Sequence, residues 1–203
     1  AWWIIGTESG LRFALYRLPV LANVHIHAKE LRGTVWRGFQ GQDWLIMTPG
    51  ADVTLSSAEF KWQPQLLRQR QLHIQHLRIG QIHISPKQTP PKPDQTPPQL
   101  PKSLKLPLQV AVDEISVEGI TYGIKKEPLL LGSHISYVYR NHEHRLLLGN
   151  VRTYWNDMKG QVSLADAAPF ALNGQITGQG ELEQTPVKGW MQLSGSLKQP
   201  LLQ

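Results

Sequence analysis

Apolar residues along this chain recur in pairs. In residues 72–84 they fall at Leu72 and Ile74, Leu77 and Ile79, Ile82 and Ile84, spaced two apart within a pair and three between pairs. His, Gln, Arg and Gly fill the gaps. The same spacing occurs at Val53, Leu55, Ala58 and Phe60, and again at Val110, Val112, Ile115 and Val117, continuing to Ile120 and Tyr122. A period of two puts alternate side chains on one face of a β-strand, and an extra residue at each step acts as a bulge that restores the face. The pattern therefore predicts a repeated strand unit, apolar on one side and wet on the other.

Other segments follow from the same reading. Thr7 caps a short amphipathic helix carrying Leu11, Ala14, Leu15 and Leu18, stopped by Pro19. Such a helix is either buried in a small domain or laid on a membrane interface. Strands resume at Val24, broken near Gly33 and Gly38, and Pro49-Gly50 marks a turn. Pro64 with Gln65, Leu66, Leu67 and Arg68 suits one helical turn. Between Pro86 and Pro107 eight prolines accumulate with Lys, Gln and Thr. Proline lacks the amide donor a sheet interior needs, so residues 86–107 read as a linker or insertion in one continuous sheet. After it, Ile135, Tyr137 and Tyr139 alternate, Asn141-His142 turns, and residues 145–148 return as a hairpin partner. Asn156-Asp157 marks a further turn before Val162 and Leu164. Phe170, Leu172, Ile176 and Leu182 follow in a glycine-punctuated strand. The expected divisions are 1–6, the end of a truncated membrane anchor; 7–19, the helix; 20–85, the first β units; 86–107, the insertion; and 108–203, further β units of a longer chain.

Composition narrows the functions. The 203 residues are 40% hydrophobic and 18% charged, with no Cys, which removes thiol nucleophiles and cysteine metal sites. The net charge of +6 and a pI near 9.7 allow anionic partners. The cations are scattered and match no nucleic-acid motif, so no nucleic-acid role is expected. The opening residues Trp2, Trp3, Ile4 and Ile5 are far fewer than the ~20 that span a bilayer. They resemble the end of an apolar segment with Trp at the interface. With Leu11, Leu15 and Leu18 they form the expected membrane anchor and interface.

Chemistry is sparse. His25 and His27 share a strand face, His73 and His83 lie on the polar side of residues 72–84 with His76 at a bend, and His142 and His144 sit near a hairpin tip. These read as surface strand histidines, since no converging ligand set accompanies them. Asp113 and Glu114 are adjacent and point to opposite faces. Glu181 and Glu183 imply no cleft of fixed width. Ser56-Ser57 and Ser194-Gly195-Ser196 lack a nucleophile elbow. No catalytic residue, metal ligand or cofactor is expected, and the chain reads as a non-enzyme. What remains is an apolar strand face, either a sandwich core or a working groove.

Several local patterns carry a resemblance. An apolar segment ends in Gly6-Thr7-Glu8-Ser9-Gly10-Leu11, and Leu31-Arg32-Gly33 and Gly38-Phe39 follow the first strand. Phe60-x-Trp62-x-Pro64-x-Leu66-Leu67 leads into Leu72-x-Ile74-x-x-Leu77-x-Ile79. Later comes Pro169-Phe170-Ala171-Leu172-Asn173-Gly174. Together they resemble the N-terminal part of the TamB family, the inner-membrane subunit of the translocation and assembly module, which is related to AsmA-like and bridge-like lipid transfer proteins. The resemblance implies a mainly β fold, an elongated curled antiparallel β-sheet (a β-taco or groove of AsmA-like repeats) with a short N-terminal amphipathic helix.

It further implies a single-pass anchor in the bacterial inner membrane, with the bulk in the periplasm. The implied function is outer-membrane biogenesis, by carriage of phospholipid acyl chains and by support of outer-membrane protein and autotransporter assembly. The implied partner is an outer-membrane protein of TamA type, reached through a region absent here. On this reading the groove is lined by Val53, Leu55, Phe60, Leu72, Ile74, Leu77, Ile79, Ile82, Ile84, Val110, Val112, Ile115, Val117 and Ile120. The alternative is a scaffold without lipid, docking outer-membrane clients by strand-edge pairing.

Overall fold

A computed structural model describes residues 6–17, 24–87, 103–182, 185–197 and 199–202. One short helix, α1 (Glu8–Arg17), precedes the strands. Its first turn is capped as the sequence suggests: the Thr7 hydroxyl accepts the Gly10 amide at 3.0 Å. The strands are β1 (His25–Thr34), β2 (Gly38–Met47), β3 (Ala51–Trp62), β4 (Gln71–Pro86), β5 (Gln109–Tyr122) and β6 (Glu127–Leu130). They continue as β7 (Gly132–Arg140), β8 (Glu143–Arg152), β9 (Asn156–Ala165), β10 (Leu172–Leu182), β11 (Thr185–Ser196) and β12 (Gln199–Leu202). A 3₁₀ turn at Pro64–Gln69 joins β3 to β4, where the sequence places one helical turn.

All strands belong to one open, curled sheet, ordered β1-β2-β3-β4-β5-β7-β8-β9-β10-β11-β12, with β6 attached to β5. Neighbours are antiparallel except β4 and β5, which run parallel. The exception has a topological cause. β4 ends at Pro86 and β5 starts with Gln109 beside Gln71, so both strands start at the same lip and end at the other. Turns therefore line two lips, one at each end of the strands. The first lip holds the β1–β2 turn, the 3₁₀ turn and the β7–β8 turn. The second holds the β2–β3, β5–β6 and β8–β9 turns.

The three repeated units pair side by side. Ala58 meets Ile79 and Phe60 meets Leu77 across β3 and β4, and Leu77 meets Ile115 and Ile79 meets Val117 across β4 and β5. At the three-residue steps both neighbours keep a common register. Ser56 and Gly80 face each other there: Ser56 Oγ accepts the Gln81 amide at 2.8 Å, and a Cβ on Gly80 would collide with the Ser56 hydroxyl. Against β7 the step in β5 becomes a register shift between Val112 and Ile115, because β7 keeps a plain period of two.

Two local readings are corrected. The turn between β8 and β9 lies at Thr153, Tyr154 and Trp155, while Asn156 and Asp157 open β9, because the Thr153 amide closes the turn on the Asn156 carbonyl at 2.8 Å. Phe170 is outside β10. It follows a cis Ala168–Pro169 bond with φ +58° and is buried in the lip at 2% exposure.

The best-packed region is small. Leu11 of α1, Leu31 of β1 and Trp44 of β2 are buried together, flanked by Leu15, Ile26, Val35, Phe39 and Leu55. Helix α1 thus covers the sheet at its β1 end. Arg12 bridges Glu8 and the Leu31 carbonyl, at 3.0 and 3.1 Å, pinning the helix to β1.

Candidate functional site

The candidate site is the apolar face of the sheet. Each residue in a register pair shares a face with its partner, so pairs chain into rows that cross the strands. One row runs Phe39, Phe60, Leu77, Ile115, Ile135, Leu148, then Gly160, Ile176 and Met191, from β2 to β11. A second runs Trp62, Ile74, Val112, Tyr137, Leu146, Val162, Gly174 and Leu193. At about 4.8 Å per strand step, the first row extends roughly 38 Å. The acyl depth of one lipid leaflet is roughly 15 Å, half of a ~30 Å hydrocarbon core. The row is longer than a lipid tail.

Every residue proposed from sequence as groove lining lies on these rows or on parallel ones. Ile82 and Ile120 join Leu55 and Trp44; Ile84 joins Val53 and Tyr122; Leu72 and Val110 join Tyr139. Apart from the buried Val112 they are half-buried, which for apolar side chains in a single sheet means that one side remains open. Leu11 is instead occupied at the capped end, 1% exposed against Leu31 and Trp44, and the half-buried Leu15 packs beside it. Trp2, Trp3, Ile4, Ile5 and Leu18 lie outside the described residues.

The rows continue well past Ile120, which the sequence reading passed over as lining. Ile135, Leu148, Leu146, Val162, Ile176 and Met191 extend the face into β7–β11. Alternation around residues 135–139 and 145–148 carried that signal, weakened further on by glycines standing where the rows need a side chain. Gly178 faces Gly189 across β10 and β11, beside Met158. With Ile176, Val187, Met191 and the exposed Trp155 they leave a hollow of 500 Å³.

The opposite face is polar and internally paired. His73 bonds Asp113 at 2.8 Å and Gln63 at 3.0 Å, His76 bonds Glu59 at 2.9 Å, and His83 bonds Thr121 at 3.0 Å. Arg78 donates to Glu114 at 3.1 Å, and this hydrogen bond holds the Glu114 carboxyl below its ordinary range; Asp113 and Glu114, expected on opposite faces, share this one because they fill the three-residue step between Val112 and Ile115. His144 is different. It stands on the apolar face beside Tyr139, its ring hydrogen-bonded to the Tyr137 hydroxyl at 2.7 Å and to the Leu104 carbonyl at 3.1 Å. Next to it the Tyr139 hydroxyl donates to buried Asp166 at 2.5 Å, and His142 meets the same carboxylate at 3.0 Å. The hydrogen bond from Tyr139 pulls the Asp166 carboxyl down and raises the tyrosine hydroxyl. The cluster fastens the first lip, because Ser103 and Leu104, where the chain re-enters the sheet, bond the Asp166 carbonyl. Among the described residues no group of three or more His, Asp or Glu side chains converges as a metal site would need.

An open curled sheet with one continuous apolar face and one paired polar face is a β-groove protein. Its family is equally plain: the whole chain, residues 1–203, matches the family described as TamB, N-terminal domain, and the chain belongs to the TamB family. That membership associates it with the cell envelope. No curated protein and no solved structure matches it. Among the described residues, no helix is long and apolar enough to cross a membrane.

Proposed function

We propose that the apolar face is a conduit for phospholipid acyl chains, acting in outer-membrane biogenesis from an inner-membrane anchor and lending support to outer-membrane protein assembly. One observation carries the reading: unbroken apolar rows outrun a lipid tail. Burial of acyl carbons yields about 0.8 kcal/mol per CH₂, so a long chain gains roughly 10 kcal/mol. The rows from Phe39 to Met191 and from Trp62 to Leu193 hold no charged residue, so a tail meets no fixed anchor along them and can slide. Work of this kind is binding and transfer, without covalent catalysis.

The test replaces Ile74 or Val112 by Arg and measures lipid co-purified with the protein, together with outer-membrane integrity. The conduit predicts loss of both. Photocrosslinkers at Ile115 and Leu148 should capture lipid. Capture only of protein, and only at strand edges, would favour a lipid-free docking scaffold in its place.

A further inference from the structure

We infer that a depression on the polar side of the first two hairpins binds the phosphate headgroup of a membrane phospholipid. It has a volume of 210 Å³ and is bounded by Arg32 of β1, Arg37 of the β1–β2 turn and Lys61 of β3. All three cations are exposed, and none has a carboxylate partner among the described residues. Glu59, the one carboxylate in the lining, is engaged by His76. Three cations face one carboxylate here, so the depression is net positive, unlike the paired ladder further along the same face.

Gly33, Gly38, Phe39, Gln40 and Phe60 complete its lining. Gly33 and Gly38 have φ of +108° and +97°. A Cβ on Gly33 would collide with the Gly38 carbonyl oxygen, and one on Gly38 with the Phe60 carbonyl oxygen. Neither glycine position can gain a side chain without a backbone shift, and a phosphate can sit between the two guanidinium groups, which are suited to bidentate contact. Beside it Trp36 is 40% exposed, on a turn fixed by the Trp62 indole donating to the Val35 carbonyl at 2.7 Å. Cations that meet phosphate next to an indole that prefers the interface suit a bilayer surface. A free phosphate shares the oxyanion chemistry and has no use for Trp36. The site works whatever the apolar face carries, since Arg32 and Lys61 alternate with the apolar row and lie on the polar side of the sheet.

Vesicle flotation tests it. Binding of the chain to phosphatidylcholine vesicles is compared with and without phosphatidylglycerol, for the unaltered chain and for Arg32→Ala/Arg37→Ala/Lys61→Ala. Each cation near an anionic surface is worth roughly fivefold in affinity, so the triple change should weaken binding on the order of a hundredfold. Arg32→Lys/Arg37→Lys, which keeps the charge and loses the forked contact, should bind more weakly than the unaltered chain and more tightly than the alanine triple. Lys125→Ala/Lys126→Ala/Arg152→Ala removes equal charge from the second lip and should retain most binding. Trp36→Ala should cost several-fold more on vesicles and nothing against inorganic phosphate. Equal losses in the two alanine triples, or an unaffected site triple, overturn the site. Saturation by inorganic phosphate with vesicle binding indifferent to Trp36 overturns the headgroup assignment. Lipid co-purification is read separately, so failure here leaves the conduit standing.

Discussion

Leu72 lies beside Val110 in parallel register, and every pair after it, to Ile84 and Tyr122, keeps the same offset. On its other side β4 meets β3 running the opposite way, with Leu77 beside Phe60 and Ile84 beside Val53. One spacing serves both neighbours because two-three-two reads the same from either end. A strand so spaced offers its apolar side chains at matching heights to a parallel and to an antiparallel partner.

The matched steps should couple energetically. Gly80→Ala forces a methyl against Ser56 and is expected to cost roughly 1–2 kcal/mol in urea unfolding. Ser56→Gly loses the bond to the Gln81 amide, about 1 kcal/mol. Together the two changes should cost less than their sum. Strict additivity would show that the residues do not meet.

Leu11→Ala should release helix α1 from the sheet. The side chain is buried at 1% exposure, and truncating such a leucine typically costs about 2–5 kcal/mol. Hydrogen exchange should rise in residues 8–17 first, with β7–β11 unchanged. Uniform loss of protection would mean that the helix is integral to the whole sheet.

Two glycine substitutions should separate cleanly. Gly38→Ala combines φ of +97° with a clash on the Phe60 carbonyl oxygen, and is expected to cost about 2 kcal/mol or more. Gly189→Ala meets no atom within 4 Å. In a strand alanine outranks glycine, so a change near zero or a gain of up to about 1 kcal/mol is expected. Thermal melts of the two variants test the contrast.

The lip cluster should give stability its own pH dependence. The Asp166 carboxyl is held below its ordinary value of 3.8 by the Tyr139 hydroxyl. Its contribution is thus present above that value and fades as pH falls through the lower folded pKa. The Tyr139 hydroxyl is raised above its ordinary 10.0, so its contribution is full below pH 10 and fades as pH rises through the folded value. Tyr139→Phe should flatten both limbs and lower the melting temperature at neutral pH. An unchanged pH profile would show that the hydrogen bond does not persist in solution.

The β character, the repeated unit and the shared apolar face from Val53 to Ile120 were legible because periodicity two is a strong signal, repeated three times. The parallel pairing of β4 and β5 was not, since a palindromic spacing gives no sense of direction. The later part of that face was hard to see for a different reason: Gly160, Gly174, Gly178 and Gly189 occupy positions on these rows or a parallel one and erase the alternation. Nor could spacing say that Leu11 packs on Leu31 and Trp44, residues from two strands joined only by folding. The inward turn of His144 depended on contacts with Tyr137 and Leu104 that no local pattern encodes.

The parallel step from β4 to β5 has a consequence for how such a chain could be lengthened. Each hairpin adds one strand and moves the growing end from one lip to the other, while a crossover adds a strand and leaves it on the same lip. Given a palindromic strand, either addition extends the apolar track without rewriting its neighbours. Groove length and the lip from which the chain departs become separately adjustable, the second set by whether a new strand joins parallel or antiparallel to the last.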